Sequence, residues 1–127
     1  GPSTLVFSLK KRARNGEWEP RNFAVDLENK TLVNLKKDSP HKFLPWTDLS
    51  YFEQLDDSHF RIQFCSNRDY FLQVLYMDDV EPMHDLMALI LRWTQAGQSR
   101  TQAAVFKQIV EFVRRPVIIA GYMHKVG

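Results

Sequence analysis

Apolar and polar residues alternate with a period of two through most of the first three quarters of the chain. Leu5, Phe7 and Leu9 alternate with Val6, Ser8 and Lys10, and Phe23, Val25 and Leu27 with Asn22, Ala24 and Asp26. Phe60, Ile62 and Phe64 alternate with Arg61, Gln63 and Cys65, and Tyr70, Leu72 and Val74 recur at the same interval. Successive side chains of a strand point to opposite faces, so each stretch predicts a strand with one buried face. Glu28-Asn29-Lys30 joins the second strand to residues 31–36 as a hairpin, and Asp56-Asp57-Ser58 and Ser66-Asn67-Arg68 read as further turns. Residues 37–42 are charged and contain Pro40, which predicts a loop. Residues 43–45 and 50–55 read as a broken or bent strand. Strands joined by such short turns predict an antiparallel meander.

The period then changes. Met83, Leu86, Met87, Ile90 and Leu91 fall at i, i+3, i+4, i+7 and i+8, one stripe of a helix. Asp78, Asp79 and Glu81 sit where acidic side chains favour a helix N-terminus, Pro82 suits a first turn, and Gly97 supplies a stop. Thr101 is placed to cap a second helix running to about Arg114, with Val105, Phe106, Ile109, Val110 and Val113 on one face. Pro116 ends it, and residues 117–122 form a short apolar tail. The predicted fold class is mainly β with C-terminal helices. It is a bent antiparallel sheet or small barrel of about seven strands, capped by one helix and followed by another.

Composition narrows the function. The chain has 127 residues, about one domain, and is 44% apolar, enough for a sizeable core. A formal net charge of +2 is far from the strong basic excess of a dedicated nucleic-acid binder. The single cysteine, Cys65, forms no internal disulfide, which fits a reducing, cytoplasmic setting. No apolar run approaches the ~18 residues of a membrane-spanning helix. Gly1-Pro2-Ser3 reads as a cleavage scar rather than a signal peptide, so the chain is expected to be a fragment of something longer.

The order of elements, with local signatures across about residues 4–95, resembles the pleckstrin-homology family. Leu9-Lys10-Lys11-Arg12 is similar to that family's first strand running into its basic loop. Trp18 with Arg21-Asn22-Phe23 resembles the approach to the second strand, and Asn29-Lys30-Thr31-Leu32 the turn into the third. Phe43-Leu44-Pro45 with Tyr51-Phe52-Glu53 resembles the fourth strand. Phe60-Arg61-Ile62 and Tyr70-Phe71-Leu72-Gln73 are similar to later strands. The resemblance implies a non-catalytic targeting module of residues 4–97. Residues 98–127 fall outside it, and their amphipathic helix is expected to pack on the same domain, since such helices usually cover their own core. The family's phosphoinositide readers carry a basic residue late in the first strand and Lys/Arg-x-Arg before the second. Lys10 and Arg21 match the outer positions, and Glu19 stands in the middle one, beside Pro20. A carboxylate there repels phosphate and implies modest, poorly selective headgroup binding. The family's helix also has a central tryptophan. Here Leu86 or Met87 stands nearest that place, and Trp93 lies about two turns later.

The candidate lipid-binding residues are Lys10, Lys11, Arg12, Arg14 and Arg21. With Glu17 and Glu19 among them they leave a local net charge of +3, and Lys36, Lys37 and Lys42 approach them in this fold. Each base near an anionic leaflet is worth roughly 1 kcal/mol. Asp78, Asp79, Glu81 and Asp85 gather elsewhere and give the domain an orienting dipole. The expected partner is an anionic membrane lipid, with a location peripheral to a membrane or the cytoskeleton. The alternative partner is a protein, or a second copy, bound through Val105, Phe106, Ile109, Val110 and Val113. Trp18 either reaches a membrane or protein surface or folds back over the barrel, and Trp46 is expected to pack in the core or at its rim. His41, His59, His84 and His124 lack metal-ligand spacing, Cys65 lacks an activating positive neighbour, and there is no glycine-rich phosphate loop. No metal, cofactor or catalytic residue is therefore predicted.

Overall fold

In the computed structural model, which describes residues 4–65, 69–115 and 124–126, the alternating stretches become β1 (Thr4–Arg12), β2 (Trp18–Asp26), β3 (Thr31–Lys36), β4 (Ser39–Pro45), β5 (Leu49–Gln54), β6 (His59–Phe64) and β7 (Asp69–Val74). Helices α1 (Val80–Gln95) and α2 (Arg100–Arg114) follow, and a short β8 (His124–Val126) ends the described chain. The turn expected at 66–68, the apolar tail at 117–122 and the scar at 1–3 lie outside the described residues.

The strands form one antiparallel sheet in the order β4-β3-β2-β1-β7-β6-β5, unclosed, with β4 and β5 at its edges. β8 pairs with the first half of β1, Thr4 opposite Val126. Period-two patterning fixes the register, because a one-residue slip would turn every core side chain outward. Phe7 sits opposite Phe23, Leu32 opposite Leu44 and Phe60 opposite Leu72, all of them buried. The core-facing set runs through Leu5, Phe7, Leu9, Val25, Ile62, Phe64 and Val74, and the α1 stripe of Met83, Leu86, Met87 and Ile90 joins it. Burying each such side chain is worth roughly 1.5–3 kcal/mol against leaving it in water.

One expectation about the middle of the sheet changes. Residues 37–42 are not a loop. Lys37 and Asp38, at φ 51° and 64°, make a two-residue turn, and β4 starts at Ser39. Left-handed conformations at both positions match the twist of a tight hairpin. The strand expected to be broken or bent over 43–45 and 50–55 is broken, into β4 and β5, by a 3-10 turn at Trp46–Asp48. Trp46 is fully buried there, edge-on to Trp93 at 5.4 Å, and its carbonyl accepts the Thr94 hydroxyl at 2.6 Å.

Gly97, at φ 63°, ends α1 as expected. The cap of α2 is Ser99 rather than Thr101: its Oγ accepts the Gln102 amide at 3.3 Å, and Thr101 lies inside the helix. Gln102 also donates through Nε2 to the Trp93 carbonyl at 3.1 Å, tying the helices together. Val105, Ile109 and Val113 are buried in the core cluster, with Phe106 and Phe112 packed against it. Asp79, immediately before α1, is fully buried, and neither of its carboxylate oxygens has a hydrogen-bond partner. Burial, and then the neighbouring Asp78, push its carboxyl up to about 7.

Candidate functional site

The inward-facing column of each strand changes from apolar to polar at one end of the sheet. Along β1 it runs Leu5, Phe7, Leu9 and then Lys11; along β2, Val25, Phe23 and then Arg21; along β3, Leu32 and then Asn34. Lys42 stands opposite Asn34 on β4, next in that column after Leu44. Period two carries the core pattern outward until its last position reaches the rim, and there the sequence supplies bases and an amide.

Lys11, Asn34 and Lys42 border a cavity of about 310 Å3 that Arg14, Glu19, His41 and Tyr70 also line. The Lys11 ammonium lies 5.9 Å from the Tyr70 ring centroid, a cation–π contact. Glu19 faces the cavity and accepts from Arg21 Nη2 at 2.8 Å, while Arg21 Nη1 donates to the Pro20 carbonyl at 2.7 Å. Arg21 is only 7% exposed, and its Nε has no partner. His41 is held below the usual imidazole range, first by desolvation and then by the positive charges of Arg21, Lys11, Lys36 and Lys42. Lys11, Arg14 and Lys42 line the same cavity as His41, and a field of that sign draws anions.

Asn34 stands out on this surface. It is fully buried, lines the cavity, and neither Oδ1 nor Nδ2 has a hydrogen-bond partner in the protein. Leaving a buried amide unpaired costs roughly 1–3 kcal/mol.

The five bases singled out in the sequence therefore divide. Lys11 and Arg14 line the cavity, and Arg21 reaches it through Glu19. Lys10 and Arg12 lie outside that lining, between the inward positions of β1. Arg12 has its guanidinium 4.1 Å from the Phe71 centroid, in line with Arg61, which lies 5.8 Å from both Phe71 and Tyr51. Trp18 is 37% exposed and meets His59 edge-on at 5.4 Å. Lys42, expected to approach the basic cluster, lines the cavity, whereas Asn34 and His41 were not anticipated as site residues. Continuing the alternation one step past Leu32 would have marked Asn34.

The residues proposed for protein contact divide as well. Val105, Ile109 and Val113 are interior, whereas Phe106 and Val110 are half-buried. These two line a groove of about 730 Å3 against Val33, Leu35, Pro40 and Phe43, and Phe43 is 61% exposed. Among the described residues no group of three or more His, Cys, Asp or Glu side chains is arranged to hold a metal ion. No described helix is long and apolar enough to cross a membrane. Exposed Cys65 donates weakly to Asp48 at 3.8 Å.

No protein-family model matches the chain, and no curated protein matches it in sequence. Its backbone is similar to the pleckstrin-homology domain of human oxysterol-binding protein-related protein 11, with a TM-score of 0.60 and 15% identity over 76% of this chain and 88% of that one. It is similar to the N-terminal pleckstrin-homology domain of human ARAP2, with a TM-score of 0.58 and 14% identity over 76% and 85% of the two chains. Inner membrane complex sub-compartment protein 3 of Toxoplasma gondii gives a TM-score of 0.62 at 8% identity over 71% and 77%. The chain has the pleckstrin-homology fold.

Proposed function

We propose that this domain is a non-catalytic targeting module. Its cavity holds the phosphorylated headgroup of an anionic phospholipid weakly and brings an attached protein to a membrane surface. The observation that carries this reading is the inward turn of Lys11 together with Arg14, His41 and Lys42 around one cavity, whose floor is an unpaired amide. Such a floor needs a polar occupant, and such walls favour an anionic one. Glu19 keeps the affinity modest by spending part of the Arg21 charge inside the protein. Residues 4–97 form the targeting unit in this reading, with the 98–127 extension supporting it through the contact of α2 with α1.

Co-sedimentation with phosphoinositide-containing vesicles over a salt series tests it. Binding should fall steeply as salt rises, because screening weakens attraction between exposed charges. Binding that ignores both salt and anionic lipid would remove the reading.

A second reading has its own observation. The groove between α2 and the outer face of β2, β3 and β4 keeps Phe43, Phe106 and Val110 partly exposed, and a second copy of the chain is the occupant it would take. Sedimentation equilibrium decides: a dimer that Phe43→Glu converts to a folded monomer supports this reading, and a monomer at all concentrations removes it.

A further inference from the structure

We propose that Ser39 is a phosphorylation site for a proline-directed protein kinase, and that its phosphate cancels the positive charge around the β3–β4 turn. The release from an anionic surface that this implies rests on the reading above, whereas the modification stands without it.

The site begins in the sequence. Ser39 is the one serine or threonine of the chain that a proline follows, and Ser39-Pro40-His41-Lys42 sets a base three residues after the hydroxyl. A kinase that selects proline at the next position exploits what proline lacks: its nitrogen carries no proton to be left unpaired in an apolar pocket. Proline also holds the residue before it in extended backbone, the form in which a peptide lies along a cleft.

The fold then presents the hydroxyl. Ser39 opens β4 directly after the Lys37-Asp38 turn, and residues 39–43 are all exposed. Among the described residues β4 pairs with β3 alone, so entering an enzyme's cleft gives up one ladder of hydrogen bonds and not two. In the transfer, Ser39 Oγ attacks the γ-phosphorus of ATP. An Oγ–P bond forms and the bond from that phosphorus to the β,γ-bridging oxygen breaks. ADP leaves with the electron pair, and the hydroxyl proton passes to the kinase's base.

The consequence is electrostatic. Residues 36–42 hold three lysines and one aspartate, a net charge of +2. A phosphoserine adds about −1.5 to −2 and so cancels it. Lys36 stands opposite Ser39 in the register, and His41 lies two residues along the same strand. Asp38, next to Ser39, is the single opposing charge in this stretch. His41 and Lys42 line the cavity, so the new phosphate sits beside two of its walls. An ammonium held by the protein's own phosphate is withdrawn from an incoming anion.

Treating the full chain with ATP and a proline-directed serine/threonine kinase, then mapping peptides by mass spectrometry, tests the site. One phosphoryl group should appear, on Ser39, and none there in Ser39→Ala. A synthetic peptide of residues 34–45 is the control for the motif. A labelled peptide beside an unlabelled chain would show that the fold withholds the hydroxyl. An unlabelled peptide and chain would show that the motif is not read. Either result overturns the site. Sedimentation with phosphoinositide vesicles tests the consequence, with circular dichroism checking that the modified chain stays folded. The modified chain should bind about ten- to thirtyfold more weakly than the unmodified one. Ser39→Glu, with one charge, should lose about fivefold, and it decides if modification disturbs the fold. The His41 imidazole, followed by NMR, should titrate at higher pH once Ser39 carries the phosphate. Vesicle binding that is unchanged, or an unmoved His41, overturns the charge-cancelling role. An unmodified chain that ignores the vesicles removes the lipid reading instead, and Ser39 labelling with a raised His41 would still carry the modification.

Discussion

Lys11 and Arg12 are consecutive residues with opposite surroundings: Lys11 faces Tyr70 in the polar cavity, while Arg12 stacks on Phe71 outside it. Two adjacent positive charges, indistinguishable in composition, therefore belong to different surfaces. The alternation that builds the core separates them.

That separation predicts unequal effects of charge removal. Lys11→Met should weaken binding to anionic vesicles about fivefold, the equivalent of ~1 kcal/mol for one base near an anionic surface. Arg12→Met should change binding less than twofold while losing its stacking on Phe71, worth about 0.5–1 kcal/mol of stability. Vesicle sedimentation beside urea melts measures both. Equal losses of binding would mean that the lipid meets the outer face instead.

Glu19 holds Arg21 at 2.8 Å and so competes with any incoming anion. Glu19→Gln should raise affinity for anionic headgroups roughly three- to fivefold, and Glu19→Lys further, most of all for multiply phosphorylated ones. The pair itself contributes at most about 1 kcal/mol, since the carboxylate is partly solvated. Calorimetry with soluble headgroups reads the effect, and affinity unmoved by either change would place the ligand away from this wall.

Asp79 makes stability depend on pH. Its carboxyl ionises near 3.8 in the unfolded chain and at about 7 in the folded one, because burial and then Asp78 disfavour the charge. The folded chain thus holds a proton over a range where the unfolded chain has lost it. The contribution to stability is full below 3.8, falls as pH rises toward 7, and is gone above that. Asp79→Asn keeps the shape without the charge. It should exceed the wild type by on the order of 2–4 kcal/mol at pH 8, with the gap closing toward pH 4. Denaturant melts at both pH values check this, and a gap independent of pH would be the contrary result.

Neighbouring positions on α2 should also separate. Ile109 is fully buried and Val110 only half. Ile109→Ala should cost about 2–4 kcal/mol through lost burial and the cavity left behind, and Val110→Ala less than about 1 kcal/mol. Thermal melts compare them. Similar costs would show that the helix does not hold this face inward in solution.

Most strands of the sheet and both helices were readable because each keeps one period long enough to count, whereas the three residues of β8 were too few to count. β4 was not, since most of it is exposed and Pro40 looks like a breaker; Pro40 is tolerated because β4 is an edge strand. Its turn was hidden too. Lys37 and Asp38 take the left-handed conformations that Asn-Gly usually announces. At the site, grouping bases by nearness in sequence gathered Lys10 and Arg12 with Lys11. Parity would have parted them. Asn34 carried no charge to draw notice, and its role rests on what surrounds it, which only the pairing of β3 with β2 and β4 establishes.

The pairing of Thr4 with Val126 brings the two extremities of the described chain side by side at the start of β1. Lys11 lies at that strand's other end, roughly 23 Å away at about 3.3 Å per residue. Under the proposed function, the end that would read a headgroup lies opposite the end where these two residues pair. A fluorophore or fusion partner placed there would report on docking without standing in its way.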